Sequence, residues 1–268
     1  MPQLLLELFS EEIPARMQAQ AARDLERMAR EKLAAEGLLP EALTAFAGPR
    51  RLTLVAEGLA AAQAERHEER KGPRVGSPDQ AIEGFLRSTG LTRDRLIERD
   101  GLYFAHIHKP GRPTAAIVAE MVDAIVRGFP WPKSMVSGVS KLRWVRPLQR
   151  ILCVFDGEVV PFEIDGHVSG DLTEGHRFMG TGQAFHVRDF DAYADGLARN
   201  FVVLDPEERK ERILDAARTL CFARNFELVE DEGLLDEVAG LTEWPTPVMG
   251  DMDPAFLDLP PEVIRTSM

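Results

Sequence analysis

Apolar positions along the chain change their spacing repeatedly, and each change predicts an element. Leu4 to Phe9 is a short, nearly continuous apolar run, which reads as a buried strand. Ser10 to Pro14 breaks it, and Pro14 suits the first turn of a helix because its missing N–H costs nothing there. From Ala15 to Glu36, Met17, Ala21, Leu25, Met28 or Ala29, and Leu33 recur at helical spacing, with Gly37 as the natural stop. Leu43 to Ala47 and Arg51 to Glu57 predict two strands on either side of Gly48-Pro49. The opening module, residues 1–64, is therefore β-α-β-β with antiparallel character.

Beyond it the alternation becomes less regular. Ala64 to Pro78 is polar and charged, broken by Gly72-Pro73 and Ser77-Pro78, and reads as a connection between modules. A helix is expected over Asp79 to Thr89, a strand over Leu102 to His108, and a helix over Ala115 to Arg127 with Thr114 as its N-cap. Ile151 to Phe155 and Val160 to Ile164 flank Asp156-Gly157, a pair that supplies the positive φ angles of a tight hairpin. Asp189 to Asn200 predicts a helix and Phe201 to Leu204 a strand. Asp205-Pro206-Glu207-Glu208 opens a helix reaching about Asn225, with acidic residues at the positive end of its dipole. A segment from Leu234 to Leu241 and a short apolar end follow. No repeat or low-complexity tract is visible. The reading is α+β: the 1–64 module, then a larger mixed module over 65–268 with antiparallel strands. The absence of a stop pattern at Thr266-Ser267-Met268 leads to the expectation of a fragment of a longer protein.

Charge changes this picture more than composition does. The 268 residues carry a formal net charge of −12, yet from Arg127 to Phe155 there are six Lys or Arg and no Asp or Glu. From Asp205 to Met268 the balance reverses, to 16 acidic against six basic residues. A basic field attracts phosphate and an acidic one repels it, so any nucleic acid belongs to the middle of the chain. No apolar run approaches the roughly 20 residues that span a bilayer. Leu4 to Phe9 runs into Glu11-Glu12 without the basic start of a signal peptide. Cys153 and Cys221 lie in apolar patterns and read as two buried free thiols, so a reducing cytoplasm is expected.

Catalytic chemistry has little support. His67, His106, His108, His167, His176 and His186 lack zinc-ligand spacing, although His106 and His108 would share a strand face. There is no Gly-x-Ser-x-Gly, no histidine follows either cysteine closely, and Gly180-Thr181-Gly182 lacks the rest of a dinucleotide fingerprint. Glu11-Glu12 reads as charge placed at a strand-to-helix corner rather than an acid-base pair. The basic stretch offers more. Lys133, Lys141, Arg143, Arg146 and Arg150 interleave with Trp131 and Trp144, a mixture that either holds phosphates and stacks bases or forms a solvated face over two core tryptophans. His176-Arg177 reads as a phosphate-contacting loop or, in the favoured alternative, a turn whose arginine pairs with Glu174.

Several blocks carry a resemblance. Leu6-Glu7-Leu8-Phe9-Ser10-Glu11-Glu12-Ile13-Pro14-Ala15 resembles the opening of the beta subunit of bacterial heterotetrameric glycyl-tRNA synthetase. Gly48-Pro49-Arg50-Arg51-Leu52, Arg70-Lys71-Gly72-Pro73, Pro132-Lys133-Ser134-Met135, Val145-Arg146-Pro147 and Gly175-His176-Arg177-Phe178 continue it in order. Gly240-Leu241-Thr242-Glu243-Trp244-Pro245 and Leu259-Pro260-Pro261-Glu262-Val263 close it. Val136-Ser137 stands where that family usually has Arg-Trp. The family's beta subunit is longer, with an HD-type region and an anticodon-binding domain that this chain lacks, so the resemblance implies its N-terminal part.

The resemblance implies that the alpha subunit houses the class II site, with its ATP and magnesium, and that this chain holds no cofactor. It implies that the beta subunit binds tRNA(Gly), with the alpha subunit and the remaining beta-subunit domains as further partners. Lys133, Lys141, Arg143, Trp144, Arg146, Arg150, His176 and Arg177 are then the candidate RNA-binding residues. The alternatives are a docking module without RNA contacts, or a remnant of an editing-type domain like that of the phenylalanyl-tRNA synthetase beta subunit. No membrane role is expected.

Overall fold

The computed structural model describes residues 2–267, without the side chains of residues 66, 67, 108, 109, 257 and 265–267. In chain order the elements are β1 (Gln3–Ser10), α1 (Ala15–Ala35), β2 (Ala42–Ala47), β3 (Arg51–Glu57), β4 (Arg66–Arg74), α2 (Asp79–Thr89), β5 (Leu96–Arg99), β6 (Leu102–Lys109) and α3 (Thr114–Gly128). Then come β7 (Leu148–Phe155), β8 (Glu158–Val159), β9 (Glu163–Ile164), β10 (His167–Gly170), β11 (Leu172–Thr173) and β12 (Phe185–His186). Four helices complete the chain: α4 (Phe190–Arg199), α5 (Pro206–Ala223), α6 (Glu232–Leu241) and α7 (Pro261–Ser267).

The α+β class holds. The main sheet runs β2-β3-β1-β7-β10-β9, with β8 paired to β7. β1 is antiparallel to both neighbours, β3 and β7, while β10 joins β7 in parallel. The opening β-α-β-β is thus continued by strands after residue 147, and one sheet draws on both sides of the expected 64/65 boundary. β1 is apolar at consecutive positions because both of its faces are covered. Leu4, Leu6 and Leu8 belong to the core formed with α1 and α3, through Met17, Leu25, Leu33, Ile117, Met121 and Val122. Leu5 packs on the opposite face with Val55, Val154, Tyr193 and Leu197 of α4. At Asp156-Gly157 φ is 51° and 82°, the left-handed pair that folds β7 onto β8.

Four expectations need correction. Residues 66–74 are strand β4, not a connection, in a small sheet of order β4-β6-β5. That sheet has little core, so ion pairs such as Arg99–Glu69 (2.6 Å) replaced the apolar alternation that would have revealed it. Phe201 to Leu204 is not a strand: Phe201 has φ 59°, and Val202 to Leu204 are buried, with Val203 N–H donating to Glu243 O at 2.8 Å. Burial, not ladder pairing, explains their apolarity. Thr114 lies inside α3, with Pro113 at the cap position, and its hydroxyl donates to Ala60 O instead of capping. Cys153 is buried as expected, whereas Cys221 is only partly so; both are free.

The second face of β1 holds an ionic knot. Arg51, fully enclosed, donates to Glu7 Oε2 at 3.0 Å, to Glu243 Oε1 at 3.0 and 3.2 Å, and to Glu174 O at 3.1 Å. Glu7 also accepts from Thr173 Oγ1 at 2.7 Å and from the Tyr193 hydroxyl at 2.5 Å. Burial alone weakens the hold of Arg51 on its proton; Glu243 and Glu7 more than reverse this, leaving its pKa above the ordinary arginine value. Arg209, equally enclosed, donates to four backbone carbonyls, of Ala47, Val203, Leu204 and Ala239. Burial pushes its pKa down to about 10, with Glu243 and Asp205 partly offsetting the fall.

Removing the cation strands two carboxylates in the interior, so Arg51→Met should destabilise the chain by about 3–5 kcal/mol. Tyr193→Phe, which removes one hydrogen bond to Glu7, should cost about 1–3 kcal/mol. Urea unfolding midpoints check the order; an Arg51→Met variant as stable as the parent would contradict it. Burial, then Glu7, drives the Tyr193 pKa well above the ordinary tyrosine value. The unfolded chain releases this proton near pH 10, so stability is held below about that pH and lost as pH rises beyond it. Tyr193→Phe should show a shallower alkaline loss than the parent in the same titration; an equal slope would remove Tyr193 from this role.

Candidate nucleic-acid interface

The basic stretch is a loop fixed to the core by aromatic rings. After α3, Phe129 and Trp131 pack with Trp144, their ring centroids 4.5 to 5.2 Å apart. Trp144 is 2% exposed, and its indole N–H donates to Ser10 Oγ at 2.9 Å. Met135 and Trp144 exchange both backbone hydrogen bonds, at 2.8 and 3.1 Å, closing residues 136–143 into a loop. Ser140 steadies that loop by donating to the Asp165 carboxylate and accepting from Leu142 N–H. Along its return, exposed Lys141 and Arg143 alternate with buried Leu142 and Trp144. The extended backbone therefore sends apolar side chains inward and cations outward.

The candidate residues divide by what holds them. Lys133, Lys141 and Arg143 are exposed and Arg146 is half-buried; none of the four makes an ion pair among the described residues. Arg146 borders a cleft of about 380 Å³ with Trp144, Gln149, Asp165 and His167. Of the other two cations in the window, Arg127 pairs with Asp123 at 2.8 Å and Arg150 with Glu174 at 2.7 Å. Trp144 has no ring face free for a base, so its place among the RNA-contacting candidates is corrected to core. Arg150 is half-buried and tied to Glu174, so it also braces the scaffold.

His176 and Arg177 lie on a different loop and line a different cleft. His176 Nδ1 accepts from the backbone N–H groups of Phe178 and Met179, both at 3.1 Å, and Gly180 N–H donates to His176 O. These bonds make a turn, but Arg177 pairs with Glu11 at 2.7 Å and not with Glu174. Glu11 and Glu12 therefore meet Arg177 rather than the first turn of α1, which has no acidic side chain. A Cβ on Gly175 would come within 2.2 Å of Asn200 Cβ, which explains the glycine that opens this turn. The cleft, about 180 Å³, is also lined by Pro49, Arg50, Phe178, Leu241, Thr242 and Glu243.

Sequence reading gave Arg50 no role. Its signal was the Arg50-Arg51 pair itself, since adjacent side chains at a strand start face opposite ways. Arg51 enters the knot, and the Arg50 guanidinium sits over the Phe9 ring at 4.6 Å. Among the described residues no three His, Cys, Asp or Glu are grouped to hold a metal ion. His106 pairs with Glu69 at 2.9 Å; the side chains of His67 and His108 lie outside the described residues. No described helix is long and apolar enough to cross a membrane.

Comparison with known proteins agrees with the blocks read from the sequence. The family model described as "Glycyl-tRNA synthetase beta subunit" matches residues 4–268. The glycine–tRNA ligase beta subunit of Phenylobacterium zucineum (strain HLK1) is 81% identical over 268 residues, covering 100% of this chain and 40% of that relative. The glycine–tRNA ligase beta subunit of Ruegeria sp. (strain TM1040) is 55% identical over 276 residues, covering 100% and 40%. That of Dinoroseobacter shibae is 54% identical, covering 100% of this chain and 38% of the relative. The chain spans about two fifths of the length of these curated relatives. Matched by the family model over almost all of its residues, the chain belongs to the glycyl-tRNA synthetase beta subunit family.

Proposed function

We propose that this chain is the part of the beta subunit that holds tRNA(Gly) for glycine attachment, in the cytoplasm and in a heterotetramer with the alpha subunit. In this reading the alpha subunit activates glycine with ATP and magnesium, and this chain contributes no reacting group. The observation that carries it is the set of four cations, Lys133, Lys141, Arg143 and Arg146, which make no ion pair among the described residues and lie in or beside a loop anchored to the core. In a chain of net charge −12, such a concentration of positive charge attracts polyanions to one place. A fixed loop also spares RNA binding the entropy of ordering its contacts.

A second reading, docking of subunits or of further beta-subunit domains, draws on a different observation. Phe222, Phe226 and Val248 are exposed in the acidic segment, as apolar side chains awaiting cover by polypeptide would be.

The assembled enzyme tests the two readings. Removing one phosphate-binding cation should lower the slope of log affinity against log salt by about 0.7 to 0.9. Lys133→Ala, Lys141→Ala and Arg143→Ala combined should therefore weaken tRNA binding and reduce the slope by about two. These side chains are exposed and make no ion pair among the described residues, so the variant should stay folded and assembled. Unchanged affinity and slope would pass the chain to the docking reading. A second measurement concerns the chemistry: the purified chain without alpha subunit should show no glycine-dependent ATP–pyrophosphate exchange. Exchange by the chain alone would overturn the division of labour.

A further inference from the structure

We propose that the cleft around Arg50 is a phosphate site that takes a single nucleotide of an RNA strand, with the base lying outside it on Phe178. The proposal rests on the tRNA-binding reading and adds a second contact region, built differently from the basic loop.

Arg50 is the central observation. It is 9% exposed, and its Nε is buried without a hydrogen-bond partner. Among the described residues its guanidinium makes no hydrogen bond or ion pair and only stacks on Phe9 at 4.6 Å. A buried donor left unmet is costly, and native structures ordinarily satisfy such groups. Burial, then the nearby Arg177, lowers its pKa, with Glu243 and Glu11 partly offsetting the fall.

The remaining wall supplies further donors. Arg177 brings a second guanidinium, held in place by Glu11 at 2.7 Å. His176 accepts two backbone N–H groups through Nδ1, so the ring proton sits on Nε2, which donates to no group among the described residues. Thr242 adds a hydroxyl. Two carboxylates also border the cleft, and both have cations of their own: Glu243 accepts from Arg51 at 3.0 Å, and Glu12 lies 3.8 Å from Arg177.

Size and rim decide the ligand class. A cleft of about 180 Å³ is smaller than the roughly 300 Å³ at which ordinary small-molecule pockets begin, so it suits one group of a larger ligand. Donors from four side chains match the several oxygens of a phosphate better than the two of a carboxylate. At the rim, Phe178 is 84% exposed, with exposed Leu241 beside the same opening. An aromatic face next to guanidinium groups is the combination that holds unpaired bases. The cleft unites positions 12, 49–50, 176–178 and 241–243, far apart in sequence.

The test uses the assembled enzyme and its tRNA across a salt series. Phe178→Ala should weaken binding by roughly five- to 150-fold, the effect of one stacked base, with the salt slope unchanged. Arg50→Gln should lower the slope by about 0.7 to 0.9, one phosphate contact. Arg50 also packs in the structure, whereas Phe178 is 84% exposed beside the His176 ring, so Phe178→Ala keeps the test decisive if Arg50→Gln fails to fold. If Phe178→Ala binds tRNA like the parent while the triple variant of the basic loop loses affinity, the cleft inference is overturned and the tRNA reading stands. If both bind like the parent, the tRNA reading itself fails. If Phe178→Ala instead weakens association with the alpha subunit and leaves RNA affinity intact, the cleft takes a protein carboxylate, which likewise overturns the proposal.

Discussion

The position of Arg51 between two buried carboxylates is the constraint on which the rest of the structure depends. Transferring one cation and two anions out of water is repaid only when geometry is good and every lone pair and proton is used. Here Thr173 and Tyr193 also donate to Glu7, and the Glu174 carbonyl takes a further guanidinium donor. The knot joins residues 7, 51, 173–174, 193 and 243, so it fixes β1, β3, β11, α4 and the segment after α6 relative to one another. Its neighbours inherit that order. Residues 175–178 and 241–243 leave the knot directly and become walls of the second cleft.

Attachment of the acidic segment follows from polar bonds as much as from apolar packing. Arg209 projects from α5 into carbonyls of three other segments, and Gln18 of α1 donates to both Ile13 O and Gly240 O, at 2.9 and 2.7 Å. Gly240 is required at that crossing, because a Cβ there would approach Ala15 Cβ within 2.5 Å. A segment this acidic is thereby locked to the β1–α1 corner by neutral or cationic donors to backbone carbonyls. Its own carboxylates remain largely at the surface, where they are solvated.

Legibility in the sequence tracked how strongly burial imposed a period. β1, α1, α3 and β7 were readable because their side chains meet a core on a fixed face. β4 was not, since its sheet is held by lateral ion pairs, and residues 202–204 imitated a strand because they are buried without a ladder. In the basic stretch, composition identified the cations but not their partners. Trp144 and Arg143 are adjacent, and only the pinned, extended backbone shows that one is core and the other surface. Arg150 and Arg143 look alike in sequence; Glu174, 24 residues from Arg150, separates them. The second cleft was visible only as motif blocks, because its walls come from four distant segments that the knot assembles.

Polar satisfaction also separates scaffold from surface. The two enclosed arginines of the interior, Arg51 and Arg209, each donate four hydrogen bonds. The buried side-chain donors without a partner among the described residues are Arg50 Nε, Trp131 Nε1 and Arg150 Nη1. An unmet buried donor costs about 1–3 kcal/mol, a burden a marginally stable fold does not carry at random. Arg50 lies immediately before β3 and Arg150 within β7, while Trp131 packs against the core beside Trp144. Of the three, Arg50 is the one whose side chain lines the second cleft. A donor held in place at a cleft spares any ligand the cost of ordering it.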